Sequence, residues 1–343
     1  MSRLRFLFTF VAVFALAAAL GACGGSGSDK SGESPQTVVD EATLQGVESG
    51  NLELAVDVDA SGQEGGSVSV DLSGPFQSGA KGKLPLLDLT AKVDGSIGGE
   101  DVSFDGGLTL LPNSAYVDYE GTEYEVDPTT FSFVESALEQ AQGQGGGEAA
   151  GATACQEEAG KLKVADFVEG LSNEGSADVG GTSTTKVSGD LNVAGAIDAF
   201  VELTEGPACK AQIAAAGPLP SKSEIEQAKG EVEQSLKSAH VDVYVGDDDI
   251  VRQVSAQLTI EPQGSGSGPK SISIDADLKL TGVNEEQEIS APGKSKPISD
   301  LFIKLGINPI ELLGMLQGEA GSAGGAEGLG DLLEGLGRPG EAG

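Results

Sequence analysis

Three stretches in the last third of the chain alternate strictly between apolar and polar side chains: residues 241–245, 254–260 and 272–280. A repeat of two residues puts every apolar side chain of a strand on one face, so each stretch predicts a β-strand with one buried and one wet face. Asp247, Asp248 and Asp249 lie between the first two stretches and predict a polar hairpin turn. A weak cation site is the alternative interpretation of these three carboxylates.

The same alternation recurs earlier, in residues 52–58, 68–72 and 87–93, with glycine pairs between strands. Further strands are predicted around 102–110, 114–126 and 176–193. Strands separated by short glycine turns favour an antiparallel meander, and together they predict one sheet of nine or more strands. Seven alternating apolar residues are candidates for the wall of an apolar space: Leu54, Val56, Val70, Leu72, Leu89, Leu258 and Ile274.

Helical spacing of apolar residues predicts helices as well as strands. The predicted helices cover residues 35–47, 128–140, 161–172, 194–204 and 223–237, with Asp127 as the N-cap of the second. The fold class is therefore α+β, an antiparallel sheet with helices on its apolar side. We expect a single domain over 35–317, with Gly-rich or helical insertions around 141–160 and 194–238, and a Gly-rich, disordered tail over 318–343.

The N-terminus carries an export signal. Arg3 and Arg5 precede a predominantly apolar run, Phe6 to Leu20, and small residues follow, which is typical of a secretory signal peptide over 1–22. This run is shorter than the roughly 20 residues that a membrane-spanning helix needs. Cys23 directly follows the small residues and resembles the lipobox of bacterial lipoproteins, in which this thiol is diacylated. The Gly- and Ser-rich residues 23–34 then predict a flexible tether.

The charge balance limits the choice of partners. Without residues 1–22 the chain keeps 18 basic and 54 acidic residues, a formal net charge of −36. Such a chain repels nucleic acid, and its few scattered cations offer no patch for phosphates. We therefore expect no nucleic-acid partner, and we interpret the acidity as a solvated surface.

Two cysteines remain after Cys23. An exported protein can keep disulfides, so we predict that Cys155 pairs with Cys209. Closing this 54-residue loop would stabilise the fold by roughly 4 kcal/mol in the chain-entropy model. Two free thiols, or a metal pair, are the alternatives, although His240 as the single histidine and the lack of a CxxC motif leave no metal-ligand set.

Catalytic motifs are missing from the sequence. No Gly-x-Ser-x-Gly elbow is present, and His240 follows a predicted helix at the start of a strand, where it is interpreted as a partly exposed strand residue. No glycine pair is followed by the Lys-Ser/Thr of a phosphate-binding loop. We therefore predict a protein that is not an enzyme and that uses no cofactor or metal.

Three stretches resemble the LppX/LprG-like lipoproteins of actinobacteria, which share a fold with the LolA-like carriers. They are the helix at Val38–Thr43, the hairpin over Asn173–Asp190 and the hairpin over Val241–Val254. The resemblance implies an open, U-shaped half-barrel, that is, a curved antiparallel sheet with helices on its concave apolar side. It also implies an apolar cavity for acyl chains of lipids or lipoglycans in transit across the cell envelope.

The resulting expectation is a lipoprotein held at the extracytoplasmic face of the cell membrane, with an acylated lipid or lipoglycan as ligand and envelope transport proteins as further partners. Two alternatives stay open. The alternating residues could pack a dry core with no cavity. The same fold could also serve an envelope sensor or structural adaptor that binds another protein and carries no lipid.

Overall fold

The computed structural model describes residues 30–44, 46–62, 65–79, 84–132, 167–206, 209, 225, 229–230, 234–262 and 269–306. Twelve strands lie in this part of the chain. They are β1 (Ser49–Ser61), β2 (Gly66–Gln77), β3 (Leu86–Ile97), β4 (Glu100–Leu111), β5 (Ser114–Tyr119), β6 (Thr122–Glu125), β7 (Val168–Val179), β8 (Thr182–Leu191), β9 (Leu236–Gly246), β10 (Val251–Ile260), β11 (Ser271–Thr281) and β12 (Lys296–Pro297).

All twelve strands form one sheet in the order β12-β6-β5-β4-β3-β2-β1-β11-β10-β9-β8-β7. Neighbours are antiparallel, except that the two-residue β12 runs parallel to β6. The two ends of the order, β12 and β7, do not pair with each other, so the sheet is open. The prediction of one antiparallel sheet with nine or more strands is confirmed.

The register places the alternating apolar residues of neighbouring strands on one face of the sheet. Leu54 lies opposite Leu72 and Leu278, and Leu258 lies opposite Ile274. Because side chains alternate along a strand, every second residue from these pairs shares their face. The same face continues through Val93 opposite Phe104 and Leu108 opposite Val117. We call it the apolar face.

Three helices accompany the sheet: α1 (Pro35–Glu41), α2 (Val193–Glu205) and α3 (Ile298–Lys304). Val38 and Val39 of α1 are buried in a cluster with valines of β8 and β9. Ile197 of α2 packs near Ala239 of β9. These partners lie on the apolar face at the β7–β9 end of the sheet, where they form two neighbouring core clusters.

Helix α3 packs at the opposite end of the sheet. Its buried residues Ile298 and Leu301 cluster with Tyr124 of β6, and Val117 and Tyr119 of β5 border them. A short helical segment over 128–132 follows β6, and Asp127 caps it by accepting hydrogen bonds from the backbone N–H groups of Thr129 and Thr130. Asp127 therefore occupies the N-cap position that the sequence predicts for this helix.

Three predicted helices differ from the structure. Residues 168–172 belong to β7, so the prediction of a helix over 161–172 is wrong there. Helix α1 ends at Glu41 and not at 47, because Thr43 pairs with Ile250 in a parallel bridge. The predicted helix over 223–237 overlaps strand β9, which begins at Leu236.

Lys30 lies inside the predicted tether and is nevertheless buried, with 3% of its surface exposed. Its ammonium group is ion-paired with Asp249 in the β9–β10 turn and lies 3.0 Å from Glu41 Oε2. The side-chain amide of Asn173 donates to the carbonyl oxygens of Lys30 and Glu33. These contacts hold residues 30–34 against the sheet. The predicted flexible tether is therefore shortened to residues 23–29.

Several predictions concern residues outside the described part of the chain. The signal peptide, Cys23, Cys155, the insertion over 141–160 and the tail over 318–343 all lie there. Cys209 is described and is fully buried, and its pairing with Cys155 stays a prediction. Among the described helices, none is long and apolar enough to cross a membrane.

Candidate functional site

An open groove runs over the apolar face between α3 and the middle of the sheet. Its volume is about 400 Å³, and its lining is almost entirely apolar. It is lined by Leu72, Leu89, Ala91, Phe104, Gly106, Gly107, Leu108, Val117, Asp118, Tyr119, Leu301 and Leu305. These residues come from strands β2 to β5 and from α3, so the groove crosses four neighbouring strands.

Strand β4 forms the floor of the groove. Phe104, Gly106 and Leu108 share the apolar face because they stand two residues apart. A Cβ atom on Gly106 would lie 2.7 Å from Phe104 Cζ and 2.9 Å from the Asp118 carbonyl oxygen, so the aromatic ring occupies the space that a side chain would need. Glycine at this position therefore lets the Phe104 ring lie against the backbone of β4.

The floor keeps large apolar side chains in contact with solvent. Phe104 is 40% exposed and Leu108 is 41% exposed, among the largest values for big apolar residues in the described chain. The described helices contact the two ends of the apolar face and leave this middle region open. Two exposed large apolar side chains on one face of the sheet make this region a candidate interaction site.

One wall of the groove is α3. Leu301 and Leu305 line it, and the ring of Tyr119 faces that of Phe104 at a centroid distance of 6.4 Å. The Lys304 ammonium lies 4.7 Å from the centre of the Tyr119 ring and is ion-paired with Glu120. The hydrogen bond that Lys304 donates to Glu120 raises the pKa of Lys304, so this cation stays charged at the rim.

The carboxylates near the groove lie mainly on the other face of the sheet. Asp118 lies opposite Glu123 in the register of β5 and β6, and the Thr109 hydroxyl donates a hydrogen bond to Asp88. Burial raises the pKa of Glu123, and the nearby charges of Asp118 and Asp88 raise it further. The sheet thus separates an apolar face from an acidic one at this end of the molecule.

The predicted wall residues all lie on the apolar face, but in three different settings. Leu72 and Leu89 line the groove. Leu258 and Ile274 pack in a core cluster with Ile260 and Ile272. Leu54, Val56 and Val70 lie partly buried between these two regions and are not part of the groove lining.

Sequence reasoning missed the floor and the helical wall of the groove. The period-two alternation of Phe104, Gly106 and Leu108 was a usable signal, since it places all three on one face of β4 and leaves room beside the glycine for the Phe104 ring. Leu301 and Leu305 had no such signal. Their place in the site follows from the docking of α3 onto β6, which joins segments far apart in the sequence.

The described residues contain no group of His, Cys, Asp and Glu able to hold a metal ion. His240 lies on β9 with Nε2 3.3 Å from Asp242 Oδ1 and Nδ1 3.6 Å from Asp190 Oδ1. Asp242 also accepts from Ser188 and pairs with Lys186. Although burial raises the pKa of Asp242, these two partners outweigh it and lower the pKa below its ordinary value.

No known family profile matches this chain. No curated protein matches its sequence. Several solved structures are similar to this chain, and LprF and LppX are two of them. LprF from Mycobacterium bovis has 13% identity and a TM-score of 0.31, and the match covers 79% of this chain and 100% of that one. The Mycobacterium tuberculosis lipoprotein LppX has 13% identity and a TM-score of 0.29, and the match covers 75% of this chain and 98% of that one. Both are lipoproteins of the LppX/LprG family that the sequence motifs resemble.

Proposed function

We propose that this chain is a lipoprotein, anchored through diacylated Cys23 at the extracytoplasmic face of the cell membrane, that binds acyl chains of a lipid or lipoglycan in the groove. It carries or presents this ligand in the cell envelope and performs no catalysis. The single observation behind the proposal is the groove itself, an apolar depression whose floor residues Phe104 and Leu108 stay open to solvent.

The chemistry of the lining favours an alkyl chain as ligand. Burying one methylene group contributes about 0.8 kcal/mol, so eight methylenes lying in the groove would contribute about 6 kcal/mol before the entropy cost of binding. The volume of about 400 Å³ falls in the range of ligand pockets. Since the lining offers few polar partners, we expect recognition of the acyl part and not of the head group.

The proposed geometry extends the apolar face into the concave side of a half-barrel, with α1, α2 and α3 packed on it. Clusters at both ends of the face, around Val38 and around Leu301, support this arrangement. The predicted lipid on Cys23 and a tether of residues 23–29 would hold the groove close to the bilayer that its ligand leaves or enters.

Native mass spectrometry of the protein purified from membranes tests the proposal. Ala91 lies on the groove floor opposite Leu72 and Gly106, so Ala91→Phe should fill the space that an acyl chain would occupy. Thr90→Phe is the matched control, because Thr90 is exposed on the other face of the same strand. We expect an acylated molecule bound to the wild type and to Thr90→Phe, and strongly reduced with Ala91→Phe.

Protein that is folded and carries no acylated molecule in any of the three forms would refute the proposal. Co-purification of a protein partner in place of lipid, lost on Ala91→Phe, would favour the envelope sensor or adaptor. That second function draws on the same observation, because exposed Phe104 and Leu108 could also contact a protein.

A further inference from the structure

The buried ion pair between Lys30 and Asp249 has a second carboxylate beside it. Glu41 is the last residue of α1, and its Oε2 accepts a hydrogen bond from the Lys30 ammonium at 3.0 Å. The Lys30 and Asp249 side chains are 4% and 3% exposed, whereas that of Glu41 is 51% exposed. An amine and a carboxyl group are thus shielded from water, and a carboxylate that contacts the amine reaches the solvent.

Backbone hydrogen bonds hold the two partners of the pair in place. The N–H of Asp249 donates to the Gly246 carbonyl oxygen at 3.0 Å, and the Asp249 carbonyl oxygen accepts from the N–H of Thr43 at 2.8 Å. The Lys30 carbonyl oxygen accepts from the N–H of Glu33 at 3.0 Å. The fold therefore presents the amine to the carboxyl group, and for well-oriented groups this can equal an effective concentration of about 10⁵ M or more.

The elements that carry these groups also supply a buried apolar cluster. Val38 and Val39 come from α1, and Val245 and Val251 flank the β9–β10 turn that contains Asp249. Charges are costly in apolar surroundings, and a proton that passes from the ammonium to the carboxylate removes both charges at once. The products are a neutral amine and a carboxylic acid, which are the forms that condense to an amide.

We propose that Lys30 and Asp249 join in an isopeptide bond, with Glu41 as the proton carrier. The Lys30 nitrogen attacks Asp249 Cγ. One N–H bond and one C–O bond break, one C–N bond and one O–H bond form, and one water molecule leaves. Glu41 takes the proton from the attacking nitrogen and returns it to the departing hydroxyl oxygen, so the step needs no oxidant, metal or other reactant. The ion pair is the state of the freshly folded chain, and the bond accumulates from it.

The bond would reinforce the attachment of the N-terminal segment. Lys30 stands seven residues after Cys23 in the sequence. The chain that leads to the predicted lipid anchor would therefore be joined covalently to the β9–β10 turn, and a pull on the anchor would be carried by the sheet. This role rests on the proposed function, whereas the bond itself depends only on the three side chains.

Mass spectrometry of the full mature protein, incubated overnight after purification, tests the bond. Lys30→Arg is the reference, because a guanidinium stays charged and does not condense. After correction for the substitution, the wild type should be lighter than this variant by the mass of one water molecule. Since trypsin does not cleave after an acylated lysine, digestion should also give a branched peptide that joins the segment around Lys30 to residues 238–252.

A second ion pair serves as the internal control. Lys186 Nζ lies 2.9 Å from Asp242 Oδ2, but these side chains are 29% and 18% exposed, so they should stay unlinked in the same digest. Wild-type protein of full mass, with separate peptides around Lys30 and Asp249, would overturn the proposal. This result is read from the wild type, so it does not depend on whether a variant folds.

A substitution in α1 tests the role of Glu41. The linked fraction is followed by mass from the moment of synthesis in a cell-free reaction. Glu41→Gln should slow the linking about 100-fold, because it removes the group that carries the proton. Asp40→Asn is the matched control and should leave the rate unchanged, since Asp40 accepts a hydrogen bond from Gln36 on the same helix. Linking of Glu41→Gln at the wild-type rate would refute this role.

These outcomes are separate from those of the lipid-binding function. A linked chain that carries no acylated molecule would keep the bond and refute the lipid-binding function. An acylated molecule bound to an unlinked chain would keep that function and refute the bond.

Discussion

Replacing Lys30 by methionine should destabilise the fold far more than replacing a lysine in a Gly- and Ser-rich segment normally does. The Lys30 side chain is 4% exposed and that of Asp249 is 3% exposed. Removing one partner of a buried ion pair leaves the other charge without its partner and typically costs 3–5 kcal/mol. With a urea m-value of about 2–3 kcal/mol per molar, the unfolding midpoint should fall by about 1–2 M.

A double-mutant cycle assigns this loss to the pair. Lys30→Met and Asp249→Asn should each destabilise the protein, whereas the double variant should be more stable than the sum of the two effects predicts. Lys279→Met is the matched control. Its partner Glu53 lies 3.1 Å away, but both side chains are substantially exposed, so the loss should stay below about 1 kcal/mol.

Urea unfolding followed by circular dichroism measures all four variants. A loss below about 1 kcal/mol for Lys30→Met, or strictly additive effects of Lys30→Met and Asp249→Asn, would refute the reasoning. Either result would mean that the Lys30–Asp249 ion pair does not hold residues 30–34 against the β9–β10 turn, and that the flexible tether extends to α1.

Three further predictions concern the anchor, one partly buried carboxylate and the cysteines. Cys23→Ser should move the protein from the membrane fraction to the soluble fraction and abolish labelling with a palmitate analogue; unchanged labelling would exclude the lipobox. The pKa of Glu123 is raised in the folded protein, so its ionisation opposes folding at pH 7, and this cost disappears as the pH falls below its ordinary pKa. In thermal melts, Glu123→Gln should therefore stabilise the protein by less than about 1 kcal/mol at pH 7 and should give no gain in stability near pH 4. Reducing the predicted Cys155–Cys209 disulfide should lower the free energy of unfolding by roughly 4 kcal/mol, and an identical free energy with and without reductant would exclude that pairing.

The strands were predictable because alternation survives in the sequence wherever a ladder is regular. β1 and β11 pair with each other without a register shift, and each was located from its apolar residues alone. β7 was missed at its start because its register shifts between Glu169 and Ser172, next to Gly170 with a positive φ of 64°. This bulge places Val168 and Leu171 three residues apart, which imitates helical spacing.

The groove was only partly predictable, for a different reason. Leu72 and Leu89 could be placed on the apolar face by their alternation, but alternation does not tell a covered position from an open one. Which part of the face stays open depends on where the helices dock. Buried Lys30 had no signal at all, since its partner Asp249 is 219 residues away in the sequence.

The chain contains no tryptophan, so a single introduced one can report directly on the groove. Leu108→Trp places the indole on the floor, and Thr90→Trp places it on the opposite face as a control. Each variant is titrated with a lipid whose acyl chains carry bromine, which quenches tryptophan fluorescence on contact. Acyl binding in the groove predicts saturable quenching for Leu108→Trp and none for Thr90→Trp. Equal quenching of both variants, or quenching of neither, would contradict it.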